Sequence, residues 1–149
     1  MPFALTVPDG YGYTAAIALG AIPLLILAQG FVVVKCRVAA KIPYPNTYAT
    51  AEQAKASKEA YKFNCAQRAH ANLLENSSQT MLTLLFAGLF YPTATMYLGA
   101  IWVAMRALFA YGYITSEKAN GQGRLIGGGF WLAQLALIGC SLAAAMKLL

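Results

Sequence analysis

Residues 15–34 carry no charged side chain and one strongly polar one, Gln29. Few folds accept a run of 20 such residues. As a helix rising about 1.5 Å per residue it would span roughly 30 Å, the thickness of a bilayer's hydrocarbon core. Tyr11 and Tyr13 precede the run where an interfacial aromatic belt would stand, and Lys35, Arg37 and Lys41 end it. Pro23 removes a backbone donor inside the run, which predicts a kink there. The composition agrees: 59% of residues are hydrophobic and 11% charged, against roughly 25% charged in soluble domains. The expected fold is an all-α integral membrane four-helix bundle, one domain over residues 1–149, with spans at about 13–35, 65–91, 96–114 and 125–146. The N-terminal tail lacks the basic region of a cleaved signal peptide, so the first span is expected to stay as a signal anchor.

The second span opens on a stretch of different character, NCAQRAHANLLENSSQ over residues 64–79. At about 100° per residue, Asn64, Arg68, Asn72, Glu75 and Gln79 fall within an arc of about 80°. The helix then continues into the apolar run 80–90. Charges on a helix entering lipid are expensive, paired and usually functional. Arg68 and Glu75 are two turns apart, about 10 Å, too far for an ideal direct bridge, so each is expected to find its partner elsewhere. The alternative is an internal pair that only locks helices together. In the third span Arg106 is the sole charge, and Trp102, Arg106 and Tyr113 share a face with Phe109 close by. An arginine there needs an acceptor, and Glu75 is the expected one, directly or through a ligand.

Between these spans the chain is polar. Prolines at 43 and 45 force an extended segment. Residues 49–62 are expected to form an interfacial helix, with Lys55, Lys58 and Lys62 on one face toward solvent or anionic lipid. The loop SEKANGQGR at 116–124 is the second polar connection. Gly127, Gly128 and Gly129 have no preceding strand and no phosphate-loop lysine, so close helix packing is their expected role. Basic residues concentrate in the loops after the first and third spans, which puts both loops, and with them Arg37, Arg68, Arg106 and Arg124, on the cytosolic side.

The net charge of +6 suits anionic headgroups as well as nucleic acid. No basic run is interleaved with stacking aromatics, so a nucleic-acid partner is not expected. Cys36, Cys65 and Cys140 are widely spaced and form no CxxC pair. Neither a disulfide framework nor a metal site is expected from them.

The segment Phe63-Asn-Cys-Ala-Gln-Arg-Ala-His-Ala-Asn-Leu-Leu-Glu75, with Arg106-Ala-Leu-Phe-Ala-Tyr-Gly-Tyr113, resembles the signature motifs of the MAPEG family, membrane-associated proteins of eicosanoid and glutathione metabolism. The resemblance covers nearly the whole chain. It implies a four-helix subunit assembling as a homotrimer, with glutathione bound between subunits on the cytosolic side. It implies glutathione contacts from Arg37, Arg68, His70, Asn72, Glu75, Arg106, Phe109 and Tyr113. Arg124 is the implied thiolate-activating residue and Arg106 the reserve. Phe109 stands where relatives carry a tyrosine, so one hydroxyl contact is absent. The implied partners are glutathione, a hydrophobic electrophile or lipid hydroperoxide, and membrane lipids. No metal is implied. The implied location is the endoplasmic reticulum or a related endomembrane, the outer mitochondrial membrane being the other option. Chemistry agrees with the resemblance: guanidinium groups suit glutathione's two carboxylates, Glu75 its ammonium and Asn72 its peptide groups. The expected reaction is transfer of the glutathione thiolate to a lipid electrophile, with hydroperoxide reduction alongside. A glutathione-dependent isomerase, a non-catalytic lipid scaffold and a small transporter are the other readings.

Overall fold

A computed structural model describes residues 6–116 and 118–149; residues 1–5 of the N-terminal tail and Glu117 of the second polar loop lie outside the described residues. The first helix, α1, runs Tyr11–Ala40. It is longer than its apolar run, because Lys35, Arg37 and their neighbours continue the helical turn until Lys41 caps it in the left-handed region at φ 53°. Near Pro23, where a kink is expected, the helix carries a π-helical turn at Ile17–Ala21, separated from the proline by one residue. A wider turn re-routes the backbone bonds around the missing N–H.

Residues 49–62 are not one helix. Ala51–Ala56 forms a short helix, α2, and Ser57 breaks the chain in extended conformation at φ −138° and ψ 127°. The Ser57 hydroxyl accepts from the amide of Ala60 at 3.2 Å, so the residue that ends α2 also caps the next helix. α2 itself starts on a capping box. The Thr50 hydroxyl accepts from the amide of Gln53, and the Gln53 side chain accepts from the amide of Thr50. Backbone N–H groups at this helix start, and then the Thr50 hydroxyl, hold the Glu52 carboxyl below the ordinary carboxylate range. A depressed pKa stabilises the fold above the unfolded value and ceases to do so as pH falls through the folded one. Amide protection across Ala51–Ala56 is therefore expected to fall on acidification below the carboxylate range. Protection that stays level through that range would show the cap carries no charge-dependent part.

The long helix α3 covers Lys58–Gly88, 31 residues, and packs against each of the other long helices. After the turn at Tyr91, α4 covers Pro92–Thr115. A 3-10 segment at Ala119–Gly127 follows, with Asn120 and Gly121 in left-handed conformation, and then α5 at Phe130–Met146. α1 and α4 are long and apolar enough to cross a membrane; the 3-10 segment and α5, bent by 50°, make a third crossing if taken together. α3 has the length, but its polar stripe leaves it outside that set.

The core lies among α1, α3, α4 and α5, with Ile22, Leu73, Leu84, Trp102, Phe130 and Leu137 fully buried. Two buried threonines tie α1 to the start of α4: Thr14 and Thr95 share a hydroxyl contact at 2.9 Å. Of the three glycines expected to serve close packing, Gly127 is the one pressed against another helix's backbone. A methyl group at Gly127 would overlap the backbone of Phe109 and Met105, and one at Gly112 would overlap the carbonyl of Gly123. This proximity seats the 3-10 segment, and Arg124 within it, on the last turns of α4.

Candidate functional site

Five polar side chains of the α3 stripe reach different fates. Asn64 is a structural clamp: its amide accepts from the Ala49 amide at 2.8 Å and donates to the Ala49 carbonyl at 3.0 Å. This pins the 41–50 loop to α3. Arg68 and Glu75 do bridge directly, contrary to the expectation from their spacing. Nη1 donates to Oε1 at 2.7 Å and Nη2 to Oε2 at 3.3 Å. The separation of two turns was counted along the axis alone. An extended arginine reaching along the helix toward a glutamate closes it.

Asn72 joins this pair to the interior. Its Nδ2 donates to Glu75 Oε2 at 3.3 Å, and its Oδ1 accepts from Arg106 Nη1 at 2.8 Å. Arg106 therefore meets Asn72, not Glu75. Arg106 is 1% exposed, and its guanidinium lies 4.3 Å from the Phe130 ring centre, 5.1 Å from Phe109 and 5.5 Å from Trp102. Aromatic faces stabilise a cation that has little water. Its Nε and Nη2 are buried without a hydrogen-bond partner. Such donors are costly to bury, and among the described residues it is the three rings that surround them.

Deeper in, the network continues through a residue that sequence reasoning did not single out. Asn76, on α3, donates to the Asn72 carbonyl at 2.8 Å and accepts from Gln134 of α5 at 3.2 Å. Gln134 in turn accepts from the Trp102 indole at 3.1 Å. Asn76 lies one turn after Asn72 and about 40° outside the arc drawn around the stripe, and a wider arc would have included it. Gln79, the last residue of the stripe, reaches Asn76 at 3.4 Å.

The remaining expected residues sit apart from this network. Arg37 is 8% exposed; it donates to the Asn46 carbonyl at 2.6 Å and stacks between Tyr44 and Phe63 at 4.3 and 4.6 Å. It folds the loop onto the helix ends. Arg124 donates from Nη1 to the carbonyls of Asn120 and Gly121, both at 2.8 Å, and lies 5.5 Å over the Tyr113 ring. Phe109 packs edge-on against Tyr113 at 5.7 Å and Phe130 at 5.6 Å. An aromatic column thus runs from Arg124 to Arg106. His70 points to the other side of α3, with its ring near Gly30 of α1 and its Nδ1 buried without a partner. The four arginines and Glu75 therefore fall into three groups within the chain: Arg37 with its loop, Arg68 and Arg106 with Glu75, and Arg124 at the far end of the column.

The MAPEG family model matches residues 15–143. The chain belongs to the MAPEG family. MAPEG proteins include membrane glutathione transferases and related proteins of eicosanoid and glutathione metabolism. They generally bind glutathione and act as membrane-embedded oligomers. In this MAPEG chain the motif residues do not enclose a ligand by themselves. The Arg68 and Glu75 side chains remain 46% and 53% exposed, and the network ends at an open helix face.

Proposed function

We propose that this chain is a membrane glutathione transferase that conjugates the glutathione thiolate to hydrophobic electrophiles. The observation that carries the proposal is Arg106, a buried cation with two unpartnered donors at the inner end of a network whose outer end is an exposed Arg68–Glu75 pair. A free zwitterionic peptide fits that polarity. Its carboxylates exchange with Glu75 for the arginines, and its ammonium takes Glu75. The subunit is a four-span unit over residues 1–149 with α3 as the fourth crossing helix. A neighbouring subunit of a homotrimer covers the open face, and the site faces the cytosol. Within the family, the Lys41-Ile-Pro-Tyr-Pro45 segment and the turn lengths look most like microsomal glutathione S-transferase 3, a relative of leukotriene C4 synthase. An endoplasmic reticulum or related endomembrane location follows from that likeness.

The reactive species is the thiolate, and a free thiol has a pKa of about 8.5. Arg124 beside the sulfur stabilises the anion. The thiolate attacks the electrophilic carbon of a lipid entering between helices; a C–S bond forms as the bond to the leaving group breaks, and the leaving group departs with the electron pair or, for an epoxide, the freed alkoxide takes a proton from water. Reduction of a lipid hydroperoxide uses the same thiolate: it attacks the outer peroxide oxygen, the O–O bond breaks, the lipid leaves as its alcohol once protonated, and a second glutathione converts the resulting sulfenic acid to the disulfide and water. An isomerase would regenerate glutathione, and product analysis with one lipid substrate separates the two. A scaffold has no need to hold a zwitterionic peptide, so glutathione binding separates that reading from the transferase.

The test is glutathione binding to the detergent-purified protein, followed by thiolate absorbance. Arg68→Ala and Glu75→Ala are expected to weaken binding at least tenfold, roughly the loss of one charge-assisted bond. Unchanged binding in both removes the site. Arg124→Ala is expected to keep glutathione and lose most of the thiolate signal. If an Arg106 variant shows that split instead, the activating role belongs to Arg106.

A further inference from the structure

A second feature of the chain lies away from the α3 stripe. A half-open groove of about 860 Å³ runs between the end of α1, the α2–α3 junction and the end of α4. Its walls are apolar where they descend toward the spans, with Val32, Cys36, Ala39 and Ile114. Its rim is basic: Lys35, Lys55, Lys58 and Lys62 line it, with Glu59 as the one acidic lining residue among the described residues. Glu59 is engaged by the Ser57 hydroxyl at 2.9 Å. The three lysines of residues 55–62 would otherwise read as a solvated face. Lys35 comes from a different helix, and together they ring one concavity. None of the residues of the Arg68–Glu75–Asn72–Arg106 network lines it.

The groove sits where α1 passes from its uncharged run to its basic end, the level of lipid headgroups for a helix of this kind. Oily walls below and ammonium groups above match an amphiphile with an anionic head and an acyl tail. A soluble anion would leave the apolar wall uncovered, and a neutral lipid would bring no net negative charge to Lys35, Lys55 and Lys62. We infer that this groove is a discrete binding site for one acidic phospholipid of the surrounding leaflet, its headgroup phosphate and carboxylate among Lys35, Lys55 and Lys62 and its chain along Val32 and Ala39. The site is separate from the glutathione site proposed above, and neither depends on the other's occupancy.

The experiment is native mass spectrometry of the whole chain in detergent, with phosphatidylserine, phosphatidylcholine or inorganic phosphate added in turn. One phosphatidylserine per chain is expected to be retained, in preference to phosphatidylcholine, and millimolar phosphate is not expected to displace it. Each lysine near a membrane surface contributes about a fivefold preference for anionic lipid, so Lys35→Gln, Lys55→Gln and Lys62→Gln combined should reduce retention about a hundredfold. Ala39→Trp leaves every lysine in place and fills an exposed part of the wall; it is expected to abolish stoichiometric retention, which diffuse surface attraction would survive. Glutathione binding should be unchanged in both variants. Retention that persists in Ala39→Trp, displacement by phosphate alone, or glutathione binding lost along with the lipid would each overturn the inference.

Discussion

Arg106→Met is expected to fold about as well as the parent chain and to lose glutathione affinity by roughly 30-fold to 1,000-fold, the effect of removing a buried charged partner worth about 2–4 kcal/mol. The two halves of this expectation have separate causes. Methionine fills a similar volume between Trp102, Phe109 and Phe130, the rings now around the guanidinium. It leaves Asn72 Oδ1 without its donor, which costs about 1–3 kcal/mol. It also removes two buried donors that have no partner. Replacing buried charge by well-packed apolar groups is often neutral or stabilising, so the terms offset. Binding has no such offset, because in the proposed site the acceptor that meets Arg106 Nε and Nη2 is the ligand. Thermal unfolding in detergent and glutathione titration measure the two halves. A variant that unfolds early yet binds glutathione normally would make Arg106 a packing residue.

Gly127→Ala is expected to destabilise by about 3 kcal/mol or more, the upper end for overpacking. The added carbon meets the Phe109 amide and the Met105 carbonyl, both main-chain groups of α4 that no rotamer change can move. The 3-10 segment must lift off α4, and Arg124 leaves the Tyr113 ring with it. Thiolate absorbance should fall while glutathione remains bound, since Arg68, Asn72, Glu75 and Arg106 lie on α3 and α4. Gly139→Ala is the control, because nothing lies within 4 Å of the added carbon. It is expected to be neutral or slightly stabilising. Equal unfolding temperatures for the two variants would refute the packing account.

The apolar runs marked out the long helices because burial in lipid demands length and lack of charge, both visible residue by residue. α4 extends only a few residues beyond the expected 96–114 span, to Pro92–Thr115. The stripe on α3 was visible for the same reason, since 100° geometry needs only a count. What failed depended on side-chain reach or on distant chain. Spacing along the axis could not show that an arginine bends along its helix to meet Glu75. The partners of Arg37 within the chain, the Asn46 carbonyl and the Phe63 ring, come from the loop and from α3, and its own helix carries no signal of them. The Tyr61 hydroxyl accepts from the Gly121 amide 60 positions away, a contact with no local signal. Ser57 shows the limit in a smaller way: helix propensity runs through it, and its hydroxyl cap decides the break.

Asn72 has a consequence of its own. A carboxamide is a dipole, and here its oxygen is turned to a cation while its nitrogen is turned to an anion. It works as a spacer that lets opposite charges share a junction without neutralising each other, and flipping its amide would oppose both at once. An aspartate in its place would draw Arg106 closer and repel Glu75, so the junction would contract toward the interior and leave the outer acid to Arg68 alone.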